Sequence, residues 1–238
     1  MEIDVNQSKG GKKSRSITIY MLAVLLFCVM IRLSVGDCYT VITSSMVPTI
    51  QPGDKVSLIK LYLFTRKIRP NDIIFFNKPV ESDKAEVYCK RVLGCPGDRV
   101  GAVDGHCWND KVLRPIGVVE EQEKLRWMFD GFFRMTNSFD VFPFANSEWN
   151  IKNWGPIVVP AKGLPVTLDD LTRELYRQVI EFETGEPLGE SLTEYTFQRD
   201  YYFAVGDNAM SSFDSRYWGF IPEEFIIGIV SGKRFRNK

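Results

Sequence analysis

Fifteen consecutive residues without a charge, Ile17 to Ile31 (ITIYMLAVLLFCVMI), constrain this chain more than any other feature in it. No polar face interrupts the run, so it does not read as one side of an amphipathic core helix. Just upstream, residues 9–16 (KGGKKSRS) carry four positive charges and no negative one. A bilayer-spanning helix needs about 20 residues. Arg32 can snorkel to the interface, which lengthens the predicted anchor to Ile17–Val35. The basic flank then predicts a cytoplasmic tail over 1–16, a single pass through the cytoplasmic membrane, and everything after Gly36 on the far side. A cleaved signal peptide shares the basic start and apolar middle, but RLSVGDC supplies small residues poorly at alternate positions. A retained anchor in contact with membrane lipid is the expectation.

Beyond the anchor the chain reads as short strands. The segments CYTVIT, DKVSLIKLYLF, DIIFFNK, EVYCKRVLG and DRVGAVDGHCWND are β-branched or aromatic runs separated by Pro-Gly, Pro-Asn and Asp-Gly turns. That spacing predicts an all-β sandwich or barrel of the Pro/Gly-punctuated type, and with the helices added a mostly β fold. A composition shift begins near Lys111, and residues 120–150 are rich in aromatics, among them Trp127, Phe132, Phe139 and Trp149. These aromatics either form the core of a second small domain, the preferred reading, or meet a membrane interface. TLDDLTRELYRQVIEFETG then predicts a helix capped by Thr167, with Leu171, Leu175, Val179 and Phe182 on its apolar face and Gly185 ending it. Strand signals return at YYFAVGD and FIIGIVSGKRF.

Charge and composition narrow the chemistry. Lys plus Arg equals Asp plus Glu at 30 each, so nothing points to a nucleic-acid partner. His106 is the only histidine in 238 residues, which excludes a multi-histidine metal site. No metal or other cofactor is expected. None of the cysteines Cys28, Cys38, Cys89, Cys95 and Cys107 forms a C-x-x-C pair. Cys95 and Cys107 either pair across a local hairpin or serve as small buried hydrophobes.

The hydroxyl-rich stretch TSSMVPTI, Thr43 to Ile50, offers a candidate nucleophile. A serine hydroxyl is weak until a base takes its proton. His106 sits beside Asp104-Gly105, a hairpin-turn signal, and a solvated turn tip suits a base poorly. A neutral lysine is the remaining option. With an ordinary pKa of about 10.4, only about one lysine in a thousand is neutral near pH 7–7.5; burial must favour the neutral form by about 4 kcal/mol. Lys90, flanked by Val87, Tyr88, Cys89, Val92 and Leu93, lies in such a strand.

Three segments then resemble, in chain order, the sequence boxes of type I signal peptidases: SMVPTIQPGD (45–54), KRVLGCPGD (90–98) and GDNAMSSFDSRYWGFIP (206–222). The resemblance covers roughly residues 37–110 and 200–238. It implies a signal-peptidase-like antiparallel β fold, a catalytic domain built from those two stretches, and an inserted non-catalytic domain over 111–199. It further implies a membrane-anchored serine endopeptidase that removes signal peptides from exported preproteins. In that reading Ser45 is the nucleophile, Lys90 the general base, and Ser212 the group that hydrogen-bonds and holds the lysine amine. Asp214 and Arg216 form a salt bridge that stiffens the third box, with Gly206, Asp207 and Asn208 leading into it. The oxyanion hole uses the Ser45 N–H and the Thr43 side chain. The family's usual P-S-x-S-M reads Ile42-Thr43-Ser44-Ser45-Met46 here, so the hydroxyl at 43 gains a methyl and a proline is lost.

The resemblance also assigns Val41, Met46, Ile50 and Cys89 to subsites for small substrate side chains; read from the residues alone, each is equally well plain core. Ser44 is the rival nucleophile on sequence. Two further readings remain: a processing peptidase dedicated to one substrate, and an inactive tethered scaffold. Self-cleaving repressors use the same dyad but carry a DNA-binding module where this chain has its apolar run.

Overall fold

The Pro/Gly-punctuated runs fold into strands among the described residues, except that CYTVIT leaves the sheet after Thr40; of DKVSLIKLYLF, residues 61–64 lie outside the described region. The computed structural model describes residues 10–60, 67–78, 86–128 and 149–234. Helix α1 (Gly10–Ser34) is followed by β1 (Val35–Thr40), β2 (Lys55–Ile59), β3 (Ile73–Asn77) and β4 (Val87–Gly94). Next come β5 (Arg99–Val103), β6 (His106–Asn109), α2 (Val119–Arg126), β7 (Trp154–Val158) and β8 (Pro165–Thr167). The chain closes with α3 (Asp170–Thr184), β9 (Glu194–Thr196), β10 (Tyr201–Val205), α4 (Ser215–Trp218), β11 (Ile221–Pro222) and β12 (Ile226–Arg234).

Seven strands form one antiparallel sheet in the order β1-β2-β12-β3-β4-β10-β11. Shifts of register, interpreted as bulges, interrupt the β1–β2, β12–β2, β12–β3 and β10–β4 pairings; bulges of this kind bend a sheet and increase its twist. A second sheet, β6-β5-β7, lies against β10, where Trp154 stacks on Phe203 with ring centroids 5.3 Å apart. The pair belongs to a large core with Leu93, Val100, Ile157, Tyr176 and Phe220. The two residues linking β5 to β6 are Asp104 (φ 50°) and Gly105 (φ 82°), the left-handed pair that an Asp-Gly hairpin turn requires.

Strand β4 has a core packed on each face, so its pleat feeds two different cores. Ile74 and Val92 pack on the Lys90 side with Phe76 and Trp218. Phe75 and Cys89 pack on the other side with Val41, Met46, Ile50 and Leu58. The register Ile74↔Lys90, Phe75↔Cys89 and Phe76↔Tyr88 fixes which residue meets which core.

Several expectations are corrected. The anchor predicted over Ile17–Val35 becomes a helix that ends at Ser34, because Val35 pairs with Ile59 in the sheet. Among the described residues no helix is long and apolar enough to cross a membrane. The uncharged run is fifteen residues long and the rest of α1 carries Lys12, Lys13, Arg15 and Arg32. Asp169 rather than Thr167 caps α3, in a reciprocal box with Thr172, while Gly185 (φ 74°) ends the helix as expected. The buried face of α3 is Leu175, Tyr176, Val179 and Ile180, with Leu171 and Phe182 exposed. It sits one position further round than the predicted apolar stripe, because Tyr176 buries its ring and donates its hydroxyl to the Val158 carbonyl at 2.8 Å. Cys95 and Cys107 are both free and belong to different cores, so they do not pair. Of the aromatic-rich stretch, Trp127 is exposed and Trp149 packs against the large core; residues 129–148 lie outside the described region.

Candidate active site

The turn carrying Ser45 is rooted from below. Met46 and Ile50 are fully buried, and the turn closes through Val47 N–H to Ser44 O at 3.1 Å and Ile50 N–H to Met46 O at 2.8 Å. Asn208 grips it from the side, donating its N–H to Ser45 O at 3.0 Å and its side-chain amide to Ser44 O at 3.3 Å. Ser45 itself is 5 % exposed, whereas Ser44 points to solvent.

Lys90 projects from the middle of β4, 3 % exposed, between Tyr88 and Val92 on one face of the strand. Its amine lies 2.6 Å from Ser45 Oγ. Burial pushes its pKa below the ordinary lysine value, against the opposing pull of the Asp214 carboxylate. A buried amine whose neutral form is favoured, and which touches a serine hydroxyl, can take that proton. The Thr43 hydroxyl is 3.5 Å from Ser45 Oγ, on the exposed side of the same turn.

Ser212 sits beside this pair, but its hydroxyl donates to Asp214 Oδ2 at 2.6 Å. The direct hydrogen bond expected from Ser212 to the lysine amine is not made. The single proton of the hydroxyl goes to the carboxylate, the stronger acceptor. Asp214 also accepts from Gly206 N–H at 2.8 Å and from Arg216 Nε at 2.8 Å and Nη2 at 2.6 Å, a bidentate and fully buried ion pair. Burial alone would raise the Asp214 pKa; the Arg216 guanidinium, with lesser help from Lys90 and Ser212, holds it below the usual carboxylate range. Gly206 is needed for its bareness: a β-carbon there would meet Ser45 O at 2.6 Å.

A second, partly buried ion pair, not anticipated, ties the nucleophile turn to β4. Asp207 takes Arg91 Nε and Nη2, each at 2.7 Å, and also accepts from the Thr49 hydroxyl. The signal was available: Arg91 follows Lys90 on the strand and therefore points to the opposite face. His106 is elsewhere, on β6, with its Nε2 3.1 Å from a Glu123 carboxylate oxygen.

Ser45 and Lys90 open onto a cleft of about 580 Å³. Val41 and Cys89 line it, together with Tyr39, Phe75, Tyr88 and Phe213. Met46 and Ile50 do not; they are core beneath the serine turn. Burial pushes the Cys89 thiol up to about 12, so it contributes bulk rather than reactivity. Among the described residues no cluster of His, Cys, Asp and Glu could hold a metal ion.

Residues 14–233 match the family described as signal peptidase, peptidase S26. A signal peptidase I from Bacillus caldolyticus is 30% identical over 84% of this chain and 80% of its own length. One from Aquifex aeolicus is 26% identical over 90% of this chain and 81% of its own. One from Buchnera aphidicola (subsp. Baizongia pistaciae) is 23% identical over 95% and 79%.

Proposed function

The chain belongs to the signal peptidase family, peptidase S26, and is a serine endopeptidase; from that premise we propose that it cleaves signal peptides from exported preproteins through a Ser45–Lys90 dyad. The observation that carries the dyad is the 2.6 Å contact between two buried groups, Lys90 Nζ and Ser45 Oγ. Neutral Lys90 takes the Ser45 proton as Oγ attacks the scissile carbonyl. The Ser45 N–H and the Thr43 hydroxyl stabilise the oxyanion. Lysine, now protonated, gives its proton to the departing amine, and an acyl-enzyme remains. Neutral Lys90 then deprotonates the water that releases the signal peptide.

Ser212 acts in this scheme through Asp214, fixing the loop against which the amine packs. Gly206, Asp207, Asn208, Asp214 and Arg216 supply the rigid frame. The acyl side of the substrate lies along the cleft, where Val41 and Cys89 leave room for small side chains. An extended chain fits there: β10 pairs only with Arg91–Gly94 of β4, so among the described residues the edge of Val87–Lys90 is open.

Two further elements belong to the same proposal. The catalytic domain is formed by 37–110 and 200–238, with 111–199 inserted. The seven-stranded sheet, whose strands fall before Cys95 and after Asp200, supports that division. Helix α1 tethers the enzyme to the membrane, supported by the exposure of Ile19, Tyr20, Leu22 and Phe27, all above 60%. Cleavage of a signal-peptide substrate by the full chain tests the function. Ser45→Ala and Lys90→Ala should each abolish turnover while remaining folded, and an active form of either would overturn the dyad.

A further inference from the structure

The far wall of the cleft is built around a lysine that the reaction does not use. Lys78 and Glu86 continue the β3–β4 ladder, with Lys78 N–H donating to Glu86 O at 2.9 Å, so their side chains emerge opposite each other on one face. The Lys78 amine lies 3.4 Å from Glu86 Oε2. It also lies 5.9 Å from the Tyr88 ring centre and 5.8 Å from that of Phe213. A carboxylate with two aromatic faces is a cage for an ammonium group, and this chain fills it with its own. Tyr88 donates its hydroxyl to the same Glu86 oxygen at 3.2 Å, and Phe213 is backed by Tyr217 at 5.4 Å. All three cage walls, Glu86, Tyr88 and Phe213, line the cleft.

The cage shares a strand face with Lys90: positions 86, 88 and 90 alternate to the same side. A substrate chain lying along the open edge of β4 therefore brings a side chain to the cage within a few residues of the scissile bond. We propose that Lys78 is a specificity-determining residue, which by filling the Glu86–Tyr88–Phe213 cage makes the enzyme discriminate against substrates carrying a lysine or arginine at that position. The Glu86 charge is already satisfied, so a second cation meets the Lys78 ammonium and finds the Glu86 carboxylate paired. This rests on the acyl side of the substrate occupying the cleft, as proposed above.

The test uses the full-length enzyme and peptide substrates in which a single lysine is scanned through the positions just before the cut. The readout is the ratio of kcat/KM for each lysine peptide to that of the neutral parent. Wild type should show a minimum at one position. Lys78→Met, which removes the ammonium, leaves the Glu86 carboxylate unpaired with Lys78 and keeps an unbranched chain, should raise that ratio about tenfold or more, chiefly through KM. Glu86→Gln leaves the Lys78 charge uncompensated and should lower the ratio further. An unchanged ratio in both variants, or an equal loss on every peptide in a folded variant, would overturn the proposal. Failure of wild type to cut the neutral parent would instead count against the assigned reaction.

Discussion

Gly206 carries the tightest packing constraint at the site, and alanine is the smallest change that tests it. A β-carbon there would lie 2.1 Å from Ser212 Oγ, 2.6 Å from Ser212 Cβ and 2.6 Å from the Ser45 carbonyl oxygen. Carbon contacts settle near 3.5 Å, so the last two are short by about 0.9 Å. The Ser212 hydroxyl can rotate away, but its β-carbon and the Ser45 carbonyl move only with the backbone. Asn208 already holds that carbonyl at 3.0 Å and Asp214 holds the Gly206 N–H at 2.8 Å. Relief must therefore come from sliding the serine turn away from Lys90. A misplacement of about 1 Å at reacting atoms costs about a hundredfold in rate, and overpacking costs about 1–3 kcal/mol of stability. Steady-state cleavage of a signal-peptide substrate should show Gly206→Ala losing about a hundredfold in kcat with little change in KM. A thermal melt should show a folded protein with a lowered midpoint. Wild-type kcat in a folded Gly206→Ala enzyme would refute the reasoning.

Other perturbations separate the parts of the site. Asp214→Asn leaves the Arg216 guanidinium buried and half-paired, and should cost about 3–5 kcal/mol in a denaturant melt. Because the folded Asp214 pKa is depressed, its stabilisation is present in full above the ordinary carboxylate range and fades as pH falls through the lower folded value. Acid titration of Asp214→Asn should lack that component. Thr43→Ala should lower kcat by about 10²–10³ if its hydroxyl serves the oxyanion, whereas Ser44→Ala should retain substantial activity. Lys90→Met should be inactive yet melt about 1 kcal/mol higher than wild type at neutral pH, because it removes a buried amine whose charged form the fold disfavours. A lower midpoint would mean that the contacts of the amine outweigh its burial.

Much of this was legible in the sequence, for identifiable reasons. The strands announce themselves because Pro-Gly, Pro-Asn and Asp-Gly turns bracket β-branched runs, and Asp104-Gly105 adopts the left-handed pair its residues favour. Ser45 and Lys90 meet at hydrogen-bond distance although 45 residues separate them. What pattern reading misses is partner choice in three dimensions. Ser212 has a carboxylate and an amine within its loop's reach, and only the structure shows that it bonds Asp214. Met46 and Ile50 look like pocket residues beside Ser45, but a tight turn sends them down into the core. Arg91 and Thr49 reach Asp207 across more than a hundred residues, a convergence that adjacency in the chain does not announce. The exposed Leu171 and Phe182 show an apolar stripe overruled by one buried tyrosine.

The central claim is that a buried lysine, not the lone histidine, is the base. The measurement that tests it most directly is kcat/KM against pH for wild type and His106→Ala side by side. Both enzymes should give the same acid limb, rising with an apparent pKa below the ordinary lysine value of 10.5, because burial of Lys90 favours its neutral form. A limb that shifts or disappears in His106→Ala would contradict the account.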